Sequence, residues 1–288
     1  MTELFAFLYQ WGDAFAFLVL CAMGLAIIFG MMGVINLAHG EFIMCGAYVT
    51  VLASRIGLPL PMAMLCGTLA AGVIGIVLER LIIRHLYHRL FDSIVATWAL
   101  SLIATQGMLI VSGPSIEGIK TPFGSFMVGQ YSFSTYRVVL MAAAVFILLA
   151  LYVLFMHTRY GVRARATIQN PDMARALGVD TGRIYSLTFG LGAALAGLTG
   201  ALYAPTTTTV PTMGGAFIVQ SFVTVVVGGA NILLGAAPAA AILGLIQSVI
   251  TTRWGQTIGQ IGLLITVILV VRLLPKGISG LLQRTSSG

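Results

Sequence analysis

An amide, an imidazole and a carboxylate stand close together in an otherwise apolar stretch, Gly33-Val-Ile-Asn-Leu-Ala-His-Gly-Glu41. Polar and ionisable groups among apolar neighbours are expensive, so Asn36, His39 and Glu41 need a reason to be there. One reading makes them a polar patch on a translocation path, or a proton relay. The other is architectural: Gly40 ends one half-helix, and Glu41 sits in the first turn of the next, where a carboxylate complements the helix dipole. A metal site built on His39 and Glu41 is not expected, because no further His, Cys or acid lies nearby to complete it. A second interruption, Asn231-Ile-Leu-Leu-Gly235, repeats the Asn-x-x-x-Gly form much later in the chain. Paired breaks in two halves of a chain point to an internal repeat and to irregular backbone that must be buried in protein or face water. Gln106 and Gln247 are polar groups inside apolar runs, either hydrogen-bonding between helices or lining the same path. The candidate path residues are therefore Asn36, His39, Glu41, Gln106, Asn231 and Gln247. Thr206 to Thr209 add hydroxyls to a loop bracketed by Pro205 and Pro211.

The elements that must position these groups follow from composition. Hydrophobic residues make up 59% of the 288 residues and charged residues only 8%, against roughly 25% charged in a soluble domain. Apolar runs fall at about 14–35, 41–54, 61–83, 93–112, 136–157, 184–204, 217–229, 237–252 and 257–274. At about 20 residues per crossing, the expectation is an all-α polytopic bundle of about eight or nine transmembrane helices. Two segments are broken or re-entrant, and residues 1–288 form a single transmembrane domain. Gly113 to Tyr136 reads as a longer polar connection. The N-terminus is not expected to be a cleaved signal, since Glu3 and Asp13 precede any Lys or Arg. Cys21, Cys45 and Cys66 lie in apolar segments and read as small packing residues. The rows Gly192/Ala196/Gly200 and Ala193/Gly197/Ala201 read as faces for close helix approach. Trp11 and Trp254 are placed as interface anchors. Glu79 and Arg80 are expected to form a boundary pair with local charges.

Charge sets orientation. The net charge is +7, yet eleven of the fifteen basic residues fall in 80–92, 158–183 and 272–284, between apolar runs. Alternating sides puts these clusters on one face, which should be cytoplasmic, and leaves the N-terminus external. Basic loops of this kind suit an anionic lipid surface, and nucleic acid is not an expected partner.

One cytoplasmic stretch has its own design. In 158–183, Asn170 is a good N-cap, Pro171 suits the first helical position, Asp172 complements the dipole, and Gly178 suits a left-handed C-terminal cap. The result is a short helix of about two turns that offers Met173, Ala174, Ala176 and Leu177 as apolar contacts and Arg175 as a charge. A helix this short is marginal alone, so it packs either on the rest of this chain or in a partner's groove. A phosphate-binding Gly-x-x-x-x-Gly-Lys-Ser/Thr loop and a Ser/His/Asp constellation are both absent from the sequence. An enzyme that works alone is disfavoured.

Four stretches together resemble the permeases of branched-chain amino acid ABC importers: residues 33–41, Asp172-Met-Ala-Arg-Ala-Leu-Gly-Val179, Val225-Val-Val-Gly-Gly229 and Leu274-Pro-Lys-Gly-Ile-Ser-Gly280. They recur in family order and cover nearly the whole chain. The resemblance implies a bacterial cytoplasmic (inner) membrane protein. It further implies two ABC ATPase subunits that bind ATP and Mg, a second related permease, and an external or periplasmic substrate-binding protein. This chain itself would hold no cofactor. Asn170, Pro171, Asp172, Met173, Ala174, Arg175, Ala176, Leu177 and Gly178 then look like the coupling helix that docks into an ATPase subunit. The Asn36 and Asn231 breaks look like elements near the pathway. The same family serves urea and short amides, and Ala96-Thr-Trp-Ala-Leu-Ser101 and Thr167-Ile-Gln-Asn170 look closer to those members. The alternative is a self-contained secondary transporter, proton-coupled through Glu41 or His39.

Overall fold

The computed structural model describes residues 1–87, 89–229, 235–273 and 277. Among the described residues there are eleven α-helices. Each apolar run expected from the sequence coincides with one of nine of them: α1 (Thr2–Met32), α2 (His39–Arg55), α3 (Leu60–Leu81), α4 (Leu90–Ser112), α5 (Thr135–His157), α8 (Thr181–Tyr203), α9 (Met213–Gly228), α10 (Ala237–Trp254) and α11 (Gln256–Leu273). Six of these, α1, α3, α4, α5, α8 and α11, are long and apolar enough to cross a bilayer, and α9 is a shorter apolar helix. The protein is therefore a multi-pass helical membrane protein.

Two elements depart from the expectation. The connection after α4 is not simply polar coil: β1 (Ser125–Val128) and β2 (Tyr131–Ser134) pair antiparallel, with Phe126 opposite Phe133. Ring contacts hold this hairpin to the start of α1, with Phe133 5.4 Å from Phe5 and 4.7 Å from Tyr9. The Tyr9 hydroxyl donates to the Ser134 carbonyl at 2.9 Å. The basic stretch 158–183 holds a further helix, α6 (Arg159–Gln169), ahead of α7 (Pro171–Ala176).

The described residues divide into two compact units, one formed by 1–22, 121–148 and 220–288 and the other by 23–120 and 149–219. In the first, the Trp11 indole donates to the Ala241 carbonyl on α10 at 3.0 Å. The Arg137 guanidinium pairs with Asp13 at 2.5 Å. Gly277 lies so close to Gly229 that a Cβ there would meet the Gly229 nitrogen at 2.9 Å. Gly229 and Gly277, one from each of two motifs noted in the sequence, thus meet.

The second unit is organised around α8. Its two small-residue rows face different neighbours. A Cβ on Gly192 would come within 2.8 Å of the Gly24 carbonyl of α1, and one on Gly200 within 1.8 Å of the Ile43 carbonyl of α2. Gly197 abuts both α2 and α3, since a Cβ on Gly46 would meet its carbonyl at 2.1 Å and its own Cβ would meet that of Ala71 at 2.4 Å. Lipid supplies no hydrophobic drive between helices, so contact of backbone on backbone is what holds them. The three cysteines are not alike: Cys21 is buried, Cys45 half-buried and Cys66 exposed on α3, so the packing role expected for Cys66 does not hold in this chain.

Adding one methyl group at Gly200 must push backbone aside, whereas Gly107, inside α4, has nothing within 4 Å of its added Cβ. Gly200→Ala should therefore lose about 1–3 kcal/mol of stability. Gly107→Ala should be neutral or gain up to about 1 kcal/mol from helix propensity. Thermal unfolding of the purified variants in detergent checks both.

Candidate functional site

The break between α1 and α2 builds the site. Gly33, at φ +63, ends α1, and its N–H donates to the Phe29 carbonyl at 2.9 Å. It is Gly33, and not Gly40 as the sequence suggested, that terminates this half-helix. Gly40 lies inside the first turn of α2 and is small for another reason: a Cβ there would meet the Gly214 carbonyl at 2.2 Å. Between the helices, two backbone donors find side-chain partners. The Ala38 N–H donates to Asn36 Oδ1 at 3.0 Å, and the Leu37 N–H donates to Thr97 Oγ1 on α4 at 3.1 Å. The Thr97 hydroxyl itself donates to the Ser93 carbonyl at 2.7 Å. Asn36 and Thr97 are completely buried, so these bonds replace helical partners that water does not reach.

His39 and Glu41 open α2, with Glu41 in its first turn as expected. His39 is fully buried, and its ring packs against Gly24 closely enough that a Cβ there would sit 2.9 Å from Cε1. The Glu41 carboxylate accepts from Ser101 Oγ at 2.9 Å, with the Thr105 hydroxyl also donating toward it. A Cβ on Gly214 would lie 2.9 Å from Glu41 Oε1. Ser93, Thr97, Ser101 and Thr105 are spaced by four and form one stripe of hydroxyls down α4. Sequence reasoning missed this stripe, although its i, i+4 spacing was readable. Asn36 Nδ2 and the Tyr48 hydroxyl, both in buried residues, have no hydrogen-bond partner among the described residues. Buried donors of that kind are usually satisfied by water or a ligand.

Asn36, His39 and Glu41 are thus brought together with the α4 stripe. Gln106 is exposed on α4, a residue further round from the stripe, and so does not join the buried cluster. Gln247 is half-buried on α10, in the other unit. Asn231 lies outside the described residues. Thr209 is buried, and its backbone forms a bridge with Ile116.

A second polar cluster lies where α3, α8 and the turn after α3 meet. Glu79 is buried, and it does not pair with Arg80, which is exposed. Its two oxygens accept instead from the hydroxyls of Tyr87 and Ser186. Successive residues on a helix point about 100° apart, so Glu79 faces inward and Arg80 outward. Burial, then the hydrogen bond to Glu79 and its negative charge, push the Tyr87 phenol far above its ordinary value, so it remains a protonated donor.

Near this cluster the basic segment folds as consecutive, separately capped helices. Thr158 Oγ1 accepts from Gly161 N–H at 3.1 Å, Asn170 Oδ1 from Met173 N–H at 3.0 Å, and Asp180 Oδ1 from Arg183 N–H at 3.0 Å. Gly178, at φ +84, lets α7 close with Val179 N–H on the Ala174 carbonyl at 3.0 Å. Asp172 and Arg175 pair with each other at 3.1 Å. Ala174 is buried, while Met173 is 57% and Leu177 77% exposed. Part of α7 therefore packs on its own chain and part is presented outward.

The helix break between α1 and α2, the buried polar cluster and the close glycine packing together fit a membrane permease. The chain belongs to the family of permease components of the branched-chain amino acid transport system, whose sequence profile matches residues 9–273. These are the membrane-spanning components of ABC transporters, and the ATPase lies in separate subunits. Among its relatives, a probable branched-chain amino acid transport permease protein LivH of Methanocaldococcus jannaschii is 28% identical, over 91% of this chain and 88% of its own. The high-affinity branched-chain amino acid transport system permease protein LivH of Escherichia coli is 27% identical over 91% and 90%. The corresponding BraD of Pseudomonas aeruginosa is 28% identical over 91% of each. No solved structure matches the chain.

The break depends on Thr97 as an acceptor. Thr97→Val keeps the shape and removes the oxygen, and should cost about 1–3 kcal/mol through the stranded Leu37 N–H. Gln106→Ala should change stability by less than about 0.5 kcal/mol. Denaturation of both variants in the same detergent separates the two.

Proposed function

We propose that this chain is one of two permease subunits through which an ATP-driven importer moves a branched-chain or other hydrophobic amino acid inward. The observation that carries this reading is the family match across residues 9–273. The substrate is supported by the relatives named above, all of them branched-chain amino acid permeases. The likeness of 96–101 and 167–170 to urea-type members keeps urea and short amides as the competing substrate class. Supply of the solute by an external binding protein and pairing with a second permease are the rest of the proposal.

In this reading the solute passes the Asn36, His39 and Glu41 cluster, where the α4 hydroxyls and the unpartnered amide offer hydrogen bonds to a small neutral or zwitterionic solute. Within the α2–α8 unit, eight arginines (80, 84, 89, 159, 163, 165, 175 and 183) belong to the end that carries α7, while Arg55 and Lys120 belong to the other. That asymmetry supports a cytoplasmic α7 and an external N-terminus. Exposed Met173 and Leu177, with the Asp172–Arg175 pair beside them, form the face that docks in a groove of the ATPase subunit. ATP binding there would bias inward- and outward-open arrangements through α7.

Purification of the tagged chain from its host membrane in mild detergent should recover two ATPase subunits, a second permease and a binding protein. Binding of labelled leucine and labelled urea by that protein then decides the substrate. Leu177→Asp should abolish recovery of the ATPase and lower uptake at least tenfold while leaving the unfolding temperature of the permease unchanged. Unaltered uptake by Leu177→Asp, or uptake that needs no ATPase and collapses with a protonophore, would sink the proposal.

A further inference from the structure

A buried carboxylate is costly unless its charge is met, and among the described residues no lysine or arginine pairs with Glu79. Two hydroxyls from different elements meet it instead: Ser186, in the second turn of α8, and Tyr87, in the connection between α3 and α4. The Tyr87 ring also packs on Tyr185, 5.1 Å away between centroids. Ser186 lies close in sequence to α7, and little slack separates them. Val179 N–H is bonded to Ala174 O, and Asp180 caps α8 directly. From Glu79 the path continues through helices packed closely at small residues. Gly75 of α3 abuts Ala193 of α8, Gly67 of α3 abuts the Gly46 carbonyl of α2, and α2 begins with His39 and Glu41.

We infer that Glu79 is a positioning residue for coupling: with Ser186 and Tyr87 it clasps α3 and the α3–α4 connection to α8, so that a displacement of α7 reaches the buried polar cluster. This rests on the reading of α7 as the ATPase-docking helix. The clasp touches neither solute nor nucleotide. It acts by making α8, α3 and the start of α4 move together, and so it sets how much transport each ATP turnover produces.

The test uses the complete importer in proteoliposomes, with uptake of labelled leucine or labelled urea and ATP hydrolysis followed in the same vesicles. Ser186→Ala and Tyr87→Phe each remove one hydroxyl and should retain the ATPase subunits and their hydrolysis. Solute imported per ATP should fall about threefold to tenfold. Ser186→Thr, which keeps the hydroxyl, should restore the ratio. Adding Ser186→Ala to Glu79→Gln should lower the ratio no further than Glu79→Gln alone, as expected for members of one network. An unchanged ratio in Ser186→Ala and Tyr87→Phe, including a parallel fall of uptake and hydrolysis, would overturn the clasp as a coupling device and leave it structural. Retention of the ATPase by Leu177→Asp in the same preparation would instead remove the α7 reading, and this inference with it.

Discussion

The requirement on which the other features of the α2–α8 unit depend is satisfaction of backbone donors where a helix stops short of water. In hydrocarbon an unpaired N–H costs several kcal/mol, and interrupted helices survive only where protein supplies partners. At the α1–α2 break, the partners are Asn36 Oδ1 and Thr97 Oγ1. Thr97 can serve because α4 is held alongside. His39 and Glu41 enter the interior because the break turns the chain there. The polar cluster is thus a consequence of how the break is closed. Residues needed to close it and residues available to a solute are neighbours in the same few turns.

Close approach is the second condition. For α4 hydroxyls and α2 side chains to meet in so small a volume, the helices around them must not be held apart by side chains of their own. Gly24, Gly40, Gly192 and Gly214 remove bulk around His39 and Glu41, and a methyl group at any of them would intrude on backbone. Glycine at these positions weakens helix propensity by up to about 1 kcal/mol each. Tertiary contact must offset that, and the mutual packing of α2, α3 and α8 supplies it.

Much of this was legible in the sequence, for identifiable reasons. Apolar runs bounded by Pro59, Gly113 and the basic clusters locate nine of the helices, because length and hydropathy leave few alternatives. The small-residue rows of α8 and the caps around α7 are local patterns that carry their own physics. What escaped depends on the third dimension. The hairpin is only four residues on each strand, too short for alternation to stand out, and α6 is hidden by three arginines and a glycine between Arg159 and Arg165. Gln106 draws notice by its polarity, but its neighbour Thr105 is the one that faces Glu41. The hydroxyl stripe is inconspicuous because Ser and Thr in helices commonly bond their own backbone, as Thr97 also does. Glu79 beside Arg80 suggests an ion pair in one dimension, and helical geometry sends the two side chains apart.

The same packing bears on how motion passes through this unit. Where long side chains separate two helices, a shift of one is absorbed by rotamer changes in between. Where glycine faces glycine, as at Gly46 and Gly197, no such intermediary exists. Interiors packed to this density respond by moving elements relative to one another as bodies, not by gradual deformation. A force on the end of α8 near Asp180 therefore has two firm routes into α3, the glycine and alanine contacts along its length and the Glu79 hydroxyl clasp near its start. Only the second also engages the connection that leads into α4. Since α4 carries the hydroxyls that hold both the helix break and Glu41, the clasp joins the charged end of this unit to the polar cluster at a point the glycine contacts do not reach.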